Sequence, residues 1–432
     1  MSANLFKKND QAWKTLFHEE KILENIEKYG YFQISSERIN QEREARLMTK
    51  FDHQFQRPKI FKDNNLSIQP NSRGRYVIGA FSSYFSIPEN KASFDVKYLQ
   101  FPPHIKTIVP NLISSESSAI LCAHLSGMLE EILGEETYFT VFGRMSTGIF
   151  DYKIDNLKTG GSNQIRVENA QCEIDGGFEG ESKFAIIEAK CQSVDDFIVR
   201  QLYYPYRAWE LKVNKEIVPI FLSVSNNIFT FYVFKFLDSS RYNSIHLESV
   251  HRYCIGQYEI ELSDIREIIK NIQRFKDDKD LTFPQADTFI RVIDLLEKLY
   301  VNESPLRKEE ITTNYAFDVR QTDYYISAGI YLGLFEKLRN NGSVYYSLSP
   351  RGKEIIELDP KRRNLELVKT ILSYKVFYLI LCEYLNSSEK PKRERIIEIM
   401  RGHVEGLNQN TISRRAQTVE KWIKWILELT ST

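Results

Sequence analysis

Asp175 and Glu188, separated by twelve residues, and Lys190 two positions further on are the residues of this chain whose types and spacing could do chemistry. They belong to Glu173-Ile174-Asp175 and to Ile186-Ile187-Glu188-Ala189-Lys190. Strand alternation puts Glu173 and Asp175 on one face of a first strand, and Glu188 and Lys190 on one face of a second. Gly176-Gly177 and Glu179-Gly180-Glu181 supply turn residues between them, so the strands can pair as a hairpin that brings Asp175 beside Glu188 and Lys190. The carboxylates of Asp175 and Glu188, with the Ala189 carbonyl, suit Mg2+ (with Mn2+ as a substitute), which wants oxygen ligands and keeps several waters. A cation held there lowers the pKa of a bound water and offsets charge on a phosphate. Lys190, close to that water, would orient it or help deprotonate it and stabilise the developing charge. The chemistry predicted is metal-assisted hydrolysis of a phosphodiester.

A Glu-x-Lys pair on a strand is, taken alone, more often a salt bridge on a solvated face. The context reverses those odds. Glu188 and Lys190 end an apolar run, Phe184-Ala185-Ile186-Ile187, that reads as a central strand, where a free surface ion pair is out of place. A helix is expected before the hairpin and another after it.

The elements that must position the cluster follow from the hydrophobic periods. Trp13, Leu16, Ile22 and Ile26 have helical spacing, and the run from Ser35 to Met48 reads as a capped helix. Short β-leaning pieces follow at Ile60-Phe61, Leu66 to Ile68 and Tyr76 to Gly79. Ser114 to Glu136 is predicted helical, and strands are predicted at 138–142, 149–154, 165–167, 170–175 and 184–190. A helix over Asp195 to Leu211 and strands at 218–224 and 229–236, with Ser225-Asn226-Asn227 between them, complete a mixed sheet domain. Lys276-Asp277-Asp278-Lys279-Asp280 reads as a linker. Beyond it, helices are predicted over 289–299, from 308 and over 320–334. A hairpin at Val344 to Leu348 follows, the pattern of a winged helix. A last helical module, Leu365 to Leu429, carries Val419, Trp422, Ile423 and Ile426 as a buried stripe, with Trp422 and Trp425 read as core.

The segment from Asp175 to Lys190 resembles the core of the PD-(D/E)xK nucleases. Asp175 takes the place of the first acidic residue, and Glu188-Ala189-Lys190 that of the (D/E)xK element. Ile174 stands where that family has proline. Hairpin pairing and family pattern together favour Asp175 over Glu173 as the ligand. The helix bearing Gln201 is similar to the one that follows this core in restriction-type endonucleases, which makes Gln201 a further candidate. A glutamate on the first core helix assists in some members; Glu116 and Glu130 both qualify. The whole layout resembles type II restriction endonucleases that join such a core to winged-helix recognition domains. The resemblance implies an α/β (α+β) restriction-endonuclease-like mixed-sheet core. It also implies an N-terminal DNA-contacting domain and C-terminal winged-helix and helix-turn-helix-like modules. The expected division is 1–100, 101–275, 283–360 and 361–432. Also implied are magnesium-dependent, sequence-specific cleavage of double-stranded DNA, action as a homodimer, and a cognate DNA methyltransferase in the host.

DNA contacts are expected from four places. Arg320, Gln321 and Thr322 open the last helix of the winged-helix pattern, and Asn410, Thr411, Ser413, Arg414 and Arg415 open the final helix. Arg46, Arg73 and Arg75 in the N-terminal segment, and Arg144 ahead of the core, add further cations.

Composition sets the outer bounds. A chain of 432 residues, 42% hydrophobic and 27% charged, is globular and long enough for about three domains. Formal net charge is zero, yet from Lys361 onward 14 Lys and Arg face 8 Glu. No apolar run approaches the roughly 20 residues that cross a bilayer, and no signal-like segment opens the chain, so no membrane partner and a (bacterial) cytoplasmic residence are expected. Five scattered cysteines without CxxC pairs suggest free thiols. Two other readings stay open: a methylation-dependent endonuclease, and a DNA-binding regulator with an inactive nuclease-like core.

Overall fold

The computed structural model describes residues 3–88, 96–113, 115–256, 259–272, 274–276, 281–302, 304–314, 319–340, 342–387, 389–404 and 406–430, without the side chains of 3–7, 313, 314, 319 and 320. The chain is a mixed α and β protein that divides into two units. Unit 1 holds Met1–Ile108, Ser115–Val224 and Ile228–Tyr253; unit 2 holds Val109–Ser114, Ser225–Asn227 and Cys254–Thr432.

In unit 1 the N-terminal apolar stripe folds as α1 (Ala3–Glu19) and α2 (Ile22–Tyr29), burying Trp13, Leu16, Ile22 and Ile26. After β1 (Tyr31–Ser35), the helix expected from Ser35 is two helices, α3 (Ser36–Glu42) and α4 (Ala45–Thr49). The Ser35 hydroxyl accepts from Arg38 N and caps the first; Asn40 Oδ1 accepts from Ala45 N and starts the second. Ile60-Phe61, expected to be β-leaning, lies in α5 (Lys59–Asp63), where the Pro58 carbonyl collects the amides of Phe61 and Lys62. Phe61 packs edge-on against Trp13, Phe17 and Phe51. The chain continues through β2 (Ser67–Ser72), β3 (Arg75–Gly79), β4 (Tyr84–Ser86) and β5 (Val96–Leu99).

The helix expected over Ser114 to Glu136 divides at Gly127 (φ 76°) into α6 (Glu116–Leu125) and α7 (Met128–Leu133), and Gly134 (φ 74°) ends it. Then come β6 (Tyr138–Ser146), β7 (Ile149–Asp155), β8 (Ser162–Glu168), β9 (Gln171–Glu179), β10 (Lys183–Lys190) and β11 (Asp196–Ile198). Helix α8 (Arg200–Glu210), β12 (Glu216–Ser225), β13 (Ile228–Phe236) and β14 (Ile245–Ile255) follow. The helix expected from Asp195 therefore starts five residues late. Asp196–Ile198 pairs with β4, and Asp196 O meets His53 Nδ1 at 2.6 Å, which holds this segment extended. The long strand β14 was not foreseen, because its residues do not alternate cleanly between buried and exposed.

These strands form two main sheets. One has the order β1-β3-β2-β8-β7; the other, β5-β14-β13-β12-β10-β9-β6. In the second, β10 is interior, antiparallel to β9 and parallel to β12. A parallel pair needs a crossover, and α8 is part of it. Gly176 and Gly177 lie inside β9 and make no turn: a Cβ would meet Ile120 at 2.9 Å in one case and Val141 at 2.8 Å in the other. The reversal sits instead around Gly180, whose N–H donates to Lys183 O.

Unit 2 contains α9 (Leu262–Asn271), α10 (Phe289–Val301), β15 (Leu306–Arg307), α11 (Lys308–Asn314), α12 (Val319–Tyr331), β16 (Phe335–Asn340) and β17 (Ser343–Leu348). Five helices complete it: α13 (Pro350–Ile356), α14 (Pro360–Leu372), α15 (Lys375–Ser387), α16 (Arg393–His403) and α17 (Gln409–Glu428). The three strands pair in the order β15-β17-β16. One hydrophobic cluster runs from Ile260 to Ile426, so the expected segments 283–360 and 361–432 share a core. Val419, Trp422, Ile423 and Ile426 are buried in it, and Trp422 Nε1 donates to Ala286 O at 2.6 Å. Residues 277–280 of the expected linker lie outside the described residues. None of the five cysteines is in a disulfide among the described residues. Among the described residues no helix is long and apolar enough to cross a membrane.

Candidate active site

The described β9–β10 ladder ends at Gly176 opposite Ile187, which sets the next residues, Asp175 and Glu188, side by side. Beyond that point a side chain takes over the strand's role: Asp175 Oδ2 accepts from Ala189 N at 2.9 Å. Glu188 and Lys190 stand at the end of β10, and Glu188 is only 7% exposed. Lys190 Nζ donates to Glu188 Oε1 at 2.6 Å, to Ala189 O at 2.9 Å and to Glu116 Oε1 at 3.2 Å. Gln201, one residue into α8, donates from Nε2 to the same Glu188 Oε1. Asp175, Glu188, Ala189, Lys190 and Gln201 thus come together as the sequence predicted.

Of Glu116 and Glu130, only Glu116 meets the cluster among the described residues. Glu116 is the first residue of α6 and reaches Lys190. Glu130 accepts from Thr137 Oγ1 and pairs with His124, away from Lys190. Asp52, which no sequence motif singled out, also acts on Lys190 electrostatically from the loop after α4. Its only local signal would have been an acidic residue in an otherwise basic stretch. Glu173 is exposed and pairs with Arg144 at 3.3 Å, as expected of a neighbour rather than a ligand.

Burial dominates the electrostatics. It raises the carboxyls of Glu188 and Asp175, while Lys190 pulls both down. For Lys190, burial works against the charge, but Glu188, Glu116 and Asp175 outweigh it and hold the ammonium well above the usual lysine range. Three carboxyls surround one ammonium, so with all of them ionised two negative charges stay uncompensated. The carboxylates and the Ala189 carbonyl are all hard oxygen donors, and Gln201 Oε1 is buried with no hydrogen-bond partner among the described residues. These residues fit a divalent cation such as Mg2+, and Asp175, Glu188 and Ala189 O are the groups that would hold it. Among the described residues no group of three or more His, Cys, Asp or Glu is arranged to hold a metal ion. Mg2+ seldom uses such a group; it takes one or two carboxylates, waters and substrate phosphates.

The expected DNA contacts are scattered through both units. In unit 1, Arg46, Arg73, Arg75 and Arg144 are exposed. In unit 2, Arg320 opens α12 at a position whose side chain lies outside the described residues. Gln321 Oε1 accepts from Arg291 Nη1 at 3.1 Å. Thr322 is fully buried and bonds Thr312 at 2.9 Å, so it braces α12 and is not placed to touch a base. Asn410 and Arg414 are exposed on the first turns of α17, and Thr411, Ser413 and Arg415 are half-buried. Thr411 N is the donor that Asn408 caps, and Ser413 O accepts from Arg393. Arg415 Nε is buried without a hydrogen-bond partner among the described residues, and burial, with Arg414 beside it, lowers that guanidinium's pKa.

No curated protein and no solved structure matches the chain. Three segments match family models, each described only as a domain of unknown function: residues 10–78 (DUF6996), 79–254 (DUF6997) and 291–431 (DUF7226). Glu116, Asp175, Glu188, Lys190 and Gln201 all fall within the 79–254 segment.

Proposed function

We propose that the protein is a magnesium-dependent endonuclease that cuts double-stranded DNA at a specific sequence, a restriction-type enzyme of the PD-(D/E)xK kind. One observation carries the reading: Asp175, Glu188, Lys190, Gln201 and Glu116 converge at the end of an interior strand, where burial makes an unbalanced charge costly. A decorative surface ion pair would not be buried, nor braced from β9, α6 and α8 at once.

Each side chain has a role in this reading. Asp175 and Glu188, with the Ala189 carbonyl, hold the cation, which supplies an activated water and offsets phosphate charge. Gln201 orients Glu188 through its hydrogen bond to Oε1. The surrounding carboxyls raise the Lys190 ammonium above the usual lysine range, which favours a role as a fixed positive charge over one as the base. Its Nζ now covers Glu188 Oε1 and Ala189 O; released from them, the ammonium is free to offset charge building on the scissile phosphate. Glu116 anchors the same ammonium from α6.

Recognition is assigned to unit 2. Helices α10, α11 and α12 followed by the β16–β17 hairpin have the element order of a winged helix, with α12 as the helix that would enter the major groove. Arg414 at the start of α17 and the exposed arginines of unit 1 are assigned to the backbone. A homodimer would cut both strands, and a cognate methyltransferase would protect the host's DNA. Incubating phage DNA with the protein tests the reading: discrete fragments with Mg2+ and none with EDTA are expected, and intact DNA in both would refute it.

A further inference from the structure

The five-stranded sheet of unit 1 contains a cavity of about 280 Å3 that the hydrolysis does not use. It lies where β2 meets β8. Their described ladder is a single pair, Ser72 with Glu168, and β2 shifts register against β3 between Pro70 and Ser72. The extra residue is Asn71, and Pro70 has no N–H to close the gap. A recess remains, with the buried Val77 and Ile165 at its base.

Its polar lining is unusual in what it leaves unsatisfied. Asn71 Oδ1 is buried and accepts no hydrogen bond. Gln33 and Gln164, both exposed, also line the recess with their side-chain amides. Three amides therefore offer both donors and acceptors to a ligand. The charged groups cancel: Arg166 donates to Glu168 at 2.8 Å and to Asp151 at 3.3 Å, and Arg75 also acts electrostatically on Glu168. That balance disfavours a phosphate and favours a neutral ligand with a hydrogen-bonding edge. Tyr31 and the Arg75 guanidinium are flat groups on which a planar ring can rest.

We propose that this recess binds a single nucleobase by its edge, the source being a base turned out of the DNA duplex. The source rests on the endonuclease reading; the chemistry of the recess does not. Asn and Gln amides pair bidentately with a base such as adenine. An enzyme that extrudes a base can inspect groups hidden within the stack. A site of this kind would give unit 1 a part in choosing the sequence or its modification.

Saturation-transfer NMR on the full-length protein tests the recess without any cleavage. The probes are adenosine, cytidine, guanosine, thymidine, N6-methyladenosine and 5-methylcytidine, with ribose 5-phosphate as control. Transfer to the base protons of at least one nucleoside is expected, with none to the control. Binding should weaken about five-fold in Gln164→Ala or Asn71→Ala, the effect of one lost hydrogen bond, and be unchanged in Glu188→Gln. Gln164 is exposed, so its variant is the one least able to disturb folding. No transfer to any nucleoside, or equal transfer in the variants, would overturn the proposal. Duplexes carrying 2-aminopurine decide the source. Brighter emission on binding supports an extruded base; flat emission from a duplex that a gel shift shows to be bound limits the recess to free nucleosides and refutes extrusion. A duplex that is not bound at all refutes the endonuclease reading and extrusion with it, while the nucleoside arm still judges the recess.

Discussion

Lys190 Nζ sits 2.6 Å from Glu188 Oε1, at a strand end where Glu188 is buried and Lys190 is only partly exposed. Each explains the other's presence. An unpaired carboxylate there would be costly, and burial alone would strip the proton from the lysine. The pair does not balance the site, because Asp175 and Glu116 add charge of one sign. That surplus is the reason to expect a cation.

Lys190→Met should lower cleavage by about 10²–10³-fold in kcat, the usual effect of removing one group that stabilises transition-state charge. Single-turnover assays on a cleaved duplex would measure it. Raising pH should not rescue the variant, because Lys190 is assigned no role as a base. Rescue at high pH would mean that its job was proton transfer.

Mg2+ should raise the melting temperature of the wild type and leave that of Asp175→Ala nearly unchanged. At a hundredfold excess over Kd, linkage gives about 2.7 kcal/mol of stabilisation. Differential scanning calorimetry with and without EDTA is the check. An equal shift in the variant would move the cation to another site.

The pH dependence has a definite sign. Burial first of all pushes the Glu188 carboxyl from its ordinary 4.5 up to about 8, so the folded chain holds that proton more tightly than the unfolded one. The stability this contributes is complete below pH 4.5 and is lost as pH rises through about 8. Metal-free wild type should therefore melt lower at pH 9 than at pH 6, and Glu188→Gln should flatten the difference. The stabilisation by Mg2+ should run the other way and grow with pH, since proton and cation compete for one carboxylate.

Salt dependence separates the two arginines of α17. Arg414 is exposed, and Arg414→Ala should reduce the slope of log K against log salt by about 1. Arg415 is half-buried with Nε enclosed, and Arg415→Ala should change the slope less while lowering stability more. Fluorescence anisotropy of a bound duplex across a salt series reads both.

Much of the site was legible in the sequence because its parts are local. Strand alternation and a short reversal suffice to set Asp175 beside Glu188, and the apolar run before Glu188 marks an interior strand. Of the two expected sets of turn residues, Glu179-Gly180-Glu181 lies at the reversal and Gly176-Gly177 does not. Gly176 and Gly177 look like turn residues, yet they are glycines because α6 and β6 press against β9 there, a long-range demand that no local pattern shows. Glu116 could not be told from Glu130, since helical spacing says nothing about which one faces β10. Asp196–Ile198 was read as helix because its partner, β4, lies over a hundred residues away in sequence. Thr322 has the composition of a DNA contact and the position of a core residue, and only packing distinguishes the two.

The most direct measurement compares wild type with Glu188→Gln on phage DNA in Mg2+, by cleavage gel and gel shift under matched folding. Discrete fragments are expected from the wild type, and from the variant DNA that is bound but uncut. Fragments from the variant at the wild-type rate would contradict the assignment of Glu188 to the site.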